Sequence, residues 1–489
     1  MNDWPARRDA LITGLLEFMP KDCVLHEDET MRAYECDGLS MYRQLPGVVC
    51  LAETAFQVQA ILRLCRRLQI PVVPRGAGTG LSGGALPHQQ GLLLGLAKMN
   101  RILEIDVDNL CAVVQPGVCN LALSEATRPS GLYYAPDPSS QIACTIGGNV
   151  AENSGGIHCL KYGLTVHNVI GLKIATMDGE LLEIGGKTLD TLGYDLLALL
   201  CGSEGLLGVV VEITVRLLPV PEQAQVVLAA FDEITKAGNA VADIIAAGII
   251  PAGLEMMDQL AIRAAEDFVH ANYPTQAAAI LLCELDGANA EVSESIMRVR
   301  QLMLDAGAFE VHTAKDEAER VAFWKGRKAA FPAVGRIAAD YYCMDGTIPR
   351  RHLAMVLTRI TELSGEYGLS VANVFHAGDG NLHPLILFDA NEQGQMQRAE
   401  ALGQRILELC VEVGGTITGE HGVGMEKLNG MCTQFRPAEL SQFHALKAAF
   451  DPSGLLNPGK AVPTLHRCAE FGAMHVHGGN LAHPELERF

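Results

Sequence analysis

Seven of the twelve residues from Pro74 to Ala85 are glycine or alanine, in the order Pro74-Arg75-Gly76-Ala77-Gly78-Thr79-Gly80-Leu81-Ser82-Gly83-Gly84-Ala85. A loop of this kind lets backbone N–H groups turn toward an anion, because glycine accepts positive φ and adds no side chain. A diphosphate is the ligand such a loop is built for, and an ordinary connecting turn needs far fewer small residues. Gly78, Gly80 and Gly83 formally satisfy G-x-G-x-x-G, but a dinucleotide-binding βαβ unit requires a helix directly after the loop. Here Pro87 and the apolar run Gly91 to Leu96 follow, which read as a strand. The G-x-x-x-x-G-K-[ST] phosphate loop is absent as well.

Two further small-residue stretches follow. Asp137 to Gly156 carries Pro138, Ser139, Thr145, Gly148, Asn149 and Gly156. Hydroxyls, an amide and exposed backbone without bulk suit a chain lying along an extended polar cofactor. Ile142, Ile146 and Val150 recur there at roughly helical spacing, which predicts a helix through this stretch. The third stretch, Gly202-Ser203-Glu204-Gly205-Leu206-Leu207-Gly208-Val209-Val210, leads into a predicted long strand.

At 489 residues the chain is too long for one ordinary core, so at least two domains are expected. The formal charge of −20 excludes a bulk basic footprint for nucleic acid and disfavours direct binding to anionic lipid. The 14 cysteines are scattered, with no Cys-x-x-Cys anywhere, and no spacing fits an iron–sulfur cluster. Residues 1 to 20 lack the apolar core and cleavage site of a signal peptide. No apolar stretch is long enough to span a membrane. These features predict a cytoplasmic protein that meets a membrane only through a partner.

Four segments are expected. Residues 1–45 form a helical lead-in, and 46–220 are the cofactor domain, closed by Pro219 and Pro221. From 221 to 430, strands such as Val226 to Phe231 and Ile280 to Glu284 alternate with Ala-rich helices, which predicts an α+β domain. Residues 431–489 form a C-terminal segment. Its His475, His477 and His483 are read as part of a tail rather than a metal site.

The second half holds a different chemistry. A predicted strand, Val371 to Phe375, runs into His376-Ala377-Gly378-Asp379-Gly380-Asn381-Leu382-His383, so two imidazoles flank one tight turn. Glu420 and His421 lie on another glycine-rich loop, Thr416 to Gly424. Two histidines and a carboxylate can hold Zn²⁺ or Fe²⁺ with open positions. On spacing alone, metal binding and simple satisfaction of loop backbone both stay open. Arg327 lies on a predicted helix in Phe323-Trp324-Lys325-Gly326-Arg327-Lys328, either as an anion-binding group or as a solvated or stacked side chain.

The three small-residue stretches resemble the FAD-binding domain of the vanillyl-alcohol oxidase/p-cresol methylhydroxylase superfamily. More closely, residues from about Val48 to Lys460 are similar to the family of FAD-linked subunits of bacterial glycolate oxidase. D-lactate and D-2-hydroxyglutarate dehydrogenases are near relatives of that family. The resemblance implies an α+β chain: a two-part FAD-binding domain and an α+β substrate (cap) domain, with the C-terminal segment returning to the FAD domain. Gly76, Ala77, Gly78, Thr79, Gly80, Ser82, Gly83 and Gly84 would wrap the FAD diphosphate, with Pro74 and Arg75 in the same implied cofactor set. Pro138, Ser139, Thr145, Gly148, Asn149 and Gly156 would line the flavin. Glu204, Gly205, Gly208 and Val209 complete the implied cofactor set, with Asn457 and Lys460 approaching the flavin ring. The glycine loop holds no His, so the FAD is expected to be noncovalent.

The same resemblance implies a divalent metal, zinc being the expectation, on His376, His383 and Glu420. It makes His421 the base and Arg327 the grip on the substrate carboxylate, a task a bidentate guanidinium performs better than lysine. The hydroxyglutarate-type relatives carry a lysine near the position of Cys343 for a second carboxylate. Its absence here points to a short monocarboxylate, glycolate or D-lactate. The implied activity is FAD-dependent oxidation of a 2-hydroxy acid to the 2-oxo acid. The implied partners are a second flavin-type subunit and an iron–sulfur subunit. A stand-alone D-lactate dehydrogenase and a non-catalytic flavin-binding scaffold are the alternatives.

Overall fold

The structure is a computed structural model that describes residues 3–188 and 193–464. The tail with His475, His477 and His483 lies outside the described residues. The chain divides into two compact units. One gathers the residues up to Gly155, Leu164–Pro219 and those from Glu420 onward; the other holds Gly156–Gly163 and Val220–Gly419.

The first unit contains two principal sheets. In the smaller, Val48–Leu51, Leu92–Gly95 and Val72–Arg75 run parallel, with Leu92–Gly95 in the middle and Val24–Leu25 added antiparallel to Val48–Leu51. Leu92, Leu93 and Leu94 are all buried, as expected of a parallel strand covered on both faces. The helix Ala55–Leu68 joins two of these strands. Thr54 and Gln57 cap it reciprocally, and Val58, Ile61, Leu62 and Cys65 form its buried stripe. The lead-in helix Trp4–Leu16 drops Leu11 and Leu15 into the same core as Val48 and Leu62. The larger sheet is antiparallel, in the order Ile102–Asp106, Cys111–Val114, Val209–Arg216, Val169–Ala175, Leu181–Gly185. Val209–Arg216 alternates buried and half-buried residues along its whole length.

No helix forms between Arg75 and Leu92, so the glycine loop passes from strand to strand. The helix in the second small-residue stretch is shorter than its apolar spacing predicts. It runs Ile146–Glu152, started by Thr145, whose hydroxyl accepts the Gly148 N–H at 3.2 Å. Ile142 lies outside it and is 77% exposed. The spacing match was accidental there, because the capping residue, not the first isoleucine, decides where the helix starts.

The second unit is one seven-stranded antiparallel sheet. Its order is Glu310–Thr313, Gln223–Phe231, Ala279–Gly287, Gly253–Asp258, Val371–His376, Pro384–Phe388, Asp340–Cys343. Helices Gln259–Val269 and Glu317–Val334 contribute Ala261, Ala265, Ala330 and Ala333 to the buried cluster that includes Val374 and Leu385. The short strap Gly156–Gly163 is tied in by polar bonds. His158 Nε2 meets Glu284 at 3.2 Å, and Tyr162 donates to Asp286 at 2.7 Å. No helix among the described residues is long and apolar enough to cross a membrane.

Candidate active site

In the first unit, the glycine loop leaves room that side chains would fill. A Cβ on Gly76 would come within 2.4 Å of Thr145 Oγ1, and Gly78 holds φ at +72°. Both features keep the backbone bare where a phosphate must approach. Asn149 is 2% exposed, and its Nδ2 meets no oxygen or nitrogen acceptor among the described residues. A buried amide donor without an acceptor costs ~1–3 kcal/mol, so a bound group is the natural acceptor. The loop, the bare backbone and this donor fit FAD. Pro138 is buried and Ser139 exposed, and Val209 opens its strand. Arg75 spends its guanidinium differently, donating to Cys36 O at 2.6 Å and lying over the Tyr34 ring.

Ser82 is fully buried. Its hydroxyl donates to His421 O at 2.7 Å, and its carbonyl accepts the Met425 and Glu426 N–H groups at 2.9 and 3.1 Å. The glycine loop and the loop carrying His421 are therefore stitched together. Glu204 tightens the stitch, accepting the Val423 and Gly424 N–H groups at 2.7 Å each. Burial raises the Glu204 carboxyl despite those bonds. Its neighbour Glu152 is pushed well above the carboxylate range, first by burial and then by the Glu204 charge. Gly422 holds φ at +81°, and a Cβ there would sit 2.1 Å from Glu152 Oε2. Asn457 donates to Gly84 O at 3.0 Å and Glu204 O at 2.7 Å. Lys460 donates to Gly84 O at 3.1 Å and Asn457 Oδ1 at 2.8 Å, and burial pushes its ammonium down to about 7.

In the second unit, the turn between Val371–His376 and Pro384–Phe388 brings two imidazoles together. The His376 and His383 ring centroids are 5.1 Å apart and nearly perpendicular. The turn closes by Gly380 N–H to His376 O at 3.1 Å. Gly380 has φ +85°, and a Cβ there would meet Ile348 O at 2.2 Å. His376 Nδ1 lies 2.6 Å from Glu255 Oε1, and His383 Nδ1 lies 3.3 Å from Met344 O. Both partners only accept, so each Nδ1 carries the proton and each Nε2 carries the lone pair. Two imidazoles prepared in this way are the donor set of a divalent-metal site.

Arg327 lies on Glu317–Val334, which Asp316 caps by accepting the Glu319 N–H at 2.9 Å. It is 1% exposed. Its Nε donates to Glu255 Oε2 at 2.8 Å and its Nη2 to the same oxygen at 2.6 Å, which leaves the Nη1 edge for another acceptor. Burial alone would raise the Glu255 carboxyl, but the N–H of His376 and the guanidinium of Arg327 beside it outweigh burial and hold it below the usual range. Asp345, fully buried, accepts from Asn381 Nδ2 at 2.9 Å, Thr418 Oγ1 at 2.6 Å and Gly419 N–H at 3.1 Å. It thus fixes the residue that precedes Glu420. Glu420 and His421, both half-buried, belong to the first unit. Cys343 is buried, its thiol 3.4 Å from Met344 O.

Glu255 and Asp345 escaped the sequence reading. The available signal was a single carboxylate inside an apolar strand, Leu254-Glu255-Met256-Met257, and the Asp that ends Tyr341-Tyr342-Cys343-Met344-Asp345.

Comparison with known proteins fits this geometry. Residues 46–185 match the FAD binding domain, and 220–461 match the C-terminal domain of FAD linked oxidases. The chain is 64% identical over 482 residues to the glycolate oxidase subunit GlcD of Escherichia coli (strain K12), covering 99% of this chain and 97% of that one. It is 33% identical to a D-lactate dehydrogenase of Anaerostipes hadrus, covering 92% and 96%. The crystal structure of p-cresol methylhydroxylase with substrate bound superimposes with a TM-score of 0.81 at 16% identity, covering 94% of this chain and 98% of that one, and so shares the fold. The parallel and antiparallel sheets of the first unit, the bare glycine loop and the seven-stranded second unit are those of an FAD-dependent oxidoreductase, and the chain belongs to the FAD-linked oxidase family that includes the glycolate oxidase GlcD subunits.

Proposed function

We propose that this chain oxidises glycolate, or D-lactate as second choice, to the corresponding 2-oxo acid as the FAD-carrying subunit of a larger enzyme. The observation that carries this reading is the buried guanidinium–carboxylate–imidazole series Arg327, Glu255, His376, in a chain so similar to a glycolate oxidase subunit. Bound FAD supplies the hydride acceptor. A divalent metal held by His376, His383 and Glu420, zinc by preference, would lower the pKa of the substrate 2-hydroxyl.

The chain's own groups do the rest. Arg327 presents its Nη1 edge to the substrate carboxylate and orients C2. His421 accepts the 2-hydroxyl proton, a task to which an imidazole nitrogen is suited. The loop Pro74 to Gly84 would hold the diphosphate, and Pro138, Ser139, Thr145, Gly148, Asn149 and Gly156 would line the flavin. Glu204, Gly205, Gly208, Val209, Asn457 and Lys460 back them. The FAD is noncovalent, so acid denaturation releases the colour; flavin left on the precipitate would refute this. A cysteine at 343 favours a monocarboxylate. Electrons leave through a second flavin-type subunit and an iron–sulfur subunit. The chain works in the cytoplasm and meets the membrane only through them.

The D-lactate dehydrogenase relative supports a stand-alone enzyme as the second reading. One measurement separates the possibilities: the visible spectrum of the purified chain under anaerobic conditions, before and after glycolate or D-lactate. Bleaching by glycolate is expected. Faster bleaching by D-lactate, with full turnover by the lone chain and a quinone, would favour the second reading. Bound flavin that neither acid bleaches, with metal added, would mean a non-catalytic scaffold.

A further inference from the structure

Glu255 touches both Arg327 and His376. It sits directly opposite His376 in the register of two central strands, 1% exposed. Its two oxygens are divided between the partners. Oε1 faces His376 Nδ1 at 2.6 Å, and Oε2 receives Arg327 Nε at 2.8 Å and Nη2 at 2.6 Å.

The partners differ in one respect. A guanidinium can only donate, whereas an imidazole nitrogen can donate or accept according to its tautomer. Arg327 therefore dictates what faces it, and the imidazole must adapt to what remains. With a carboxylate at 255 both demands are met, and the His376 proton stays on Nδ1. We propose that Glu255 is a positioning residue: held as an acceptor by Arg327, it fixes the His376 tautomer so that Nε2 carries the lone pair. It thereby couples the carboxylate-binding arginine to the metal-binding histidine. The inference deepens the proposed function and rests on its assignment of His376 and Arg327.

The substitution Glu255→Gln tests it sharply. Gln has one acceptor and one donor end. Arg327 claims the carbonyl, so the amide N–H turns to His376 Nδ1, which must then accept. The proton moves to Nε2, and the ligating nitrogen is blocked. Adding Arg327→Met removes the claim on the carbonyl. The Gln then reverses, its oxygen accepts from Nδ1–H, and the ligating tautomer returns.

Full-length holoenzyme is used throughout, with flavin absorbance checking that each variant folds. The first readout is retained zinc after dialysis against graded chelator. E255Q should lose its metal at roughly 10–100-fold lower chelator than wild type. E255Q/R327M should recover most of that loss, although it stays inactive for want of its carboxylate anchor. The second readout is the ¹⁵N signal of His376 in metal-stripped protein, assigned by its disappearance in His376→Asn. It should show Nδ1–H in wild type, Nε2–H in E255Q and Nδ1–H again in the double variant. An unchanged tautomer in E255Q, or no reversal in the double variant, overturns the proposal. If wild type binds no divalent metal, the functional assignment of His376 fails, and the ¹⁵N signals still decide whether Glu255 sets the tautomer.

Discussion

Replacing Glu204 by Gln should loosen the loop that carries His421, and the structure allows the size of the effect to be worked out. The carboxylate accepts two backbone N–H groups, those of Val423 and Gly424, at 2.7 Å each, in a site only 5% exposed. Gln offers one carbonyl. The amide end then faces a second N–H donor, which is left buried and unsatisfied at a cost of ~1–3 kcal/mol. The surviving bond changes from charge-assisted to neutral, losing about 1 kcal/mol more. Relief of the repulsion with Glu152 returns part of this, so a net loss of about 2–3 kcal/mol is expected. In a unit of this size that lowers the thermal midpoint by roughly 3–5 °C. Release of flavin fluorescence on heating follows the first unit, in which Glu204 and the glycine loop both lie. Holoenzyme of wild type and E204Q should be compared at one pH and one FAD concentration. A midpoint within a degree of wild type would refute the reasoning, because it would mean that the two amides find other partners.

Three further outcomes are expected. His421→Ala should retain FAD but lose anaerobic flavin reduction by glycolate by at least ~100-fold, the lower range of general-base contributions; normal bleaching would refute the role of base. Cys343→Lys should raise the relative kcat/KM for 2-hydroxyglutarate over glycolate, at some cost in stability because the site is buried, and no gain would count against a monocarboxylate pocket. Glu152, facing Glu204, Asp37, Lys427 and Lys460, has its carboxyl raised in the fold. The fold therefore favours its protonated form, and the associated stability is lost as pH rises from the ordinary carboxylate range through the raised value. Glu152→Gln, neutral throughout, should gain in thermal midpoint over wild type from pH 5 to pH 8; a gap that shrinks would reverse the sign of the argument.

The sequence made some features legible because they are local. The glycine loop needs no distant partner to declare bare backbone, and Thr54 with Gln57 marks the start of Ala55–Leu68 within four residues. The two-histidine turn is likewise written in eight consecutive residues. What stayed hidden depends on remote partners. Glu255 finds Arg327 72 residues away and His376 121 residues away, and nothing near position 255 announces either. The Arg75 side chain depends on remote partners in the same way, its guanidinium being taken by carbonyls of residues 34 and 36, which the motif does not contain. Ile142 shows that periodicity without a cap overextends a helix.

The strand Val72–Arg75 has one more neighbour, and it arrives very late in biosynthesis. Val72 N–H donates to Leu455 O and Asn457 N–H donates to Val72 O, both at 2.8 Å, while Asn457 also reaches Gly84 across 373 residues of chain. At about 5–20 residues per second, a ribosome needs roughly 20–75 s to make that interval. During this time the growing chain carries an open strand edge beside its glycine loop, the kind of surface that recruits stray strands. Nascent chains stalled before residue 455 should therefore be chaperone-dependent and unable to retain FAD, even though every residue of the glycine loop has already been made.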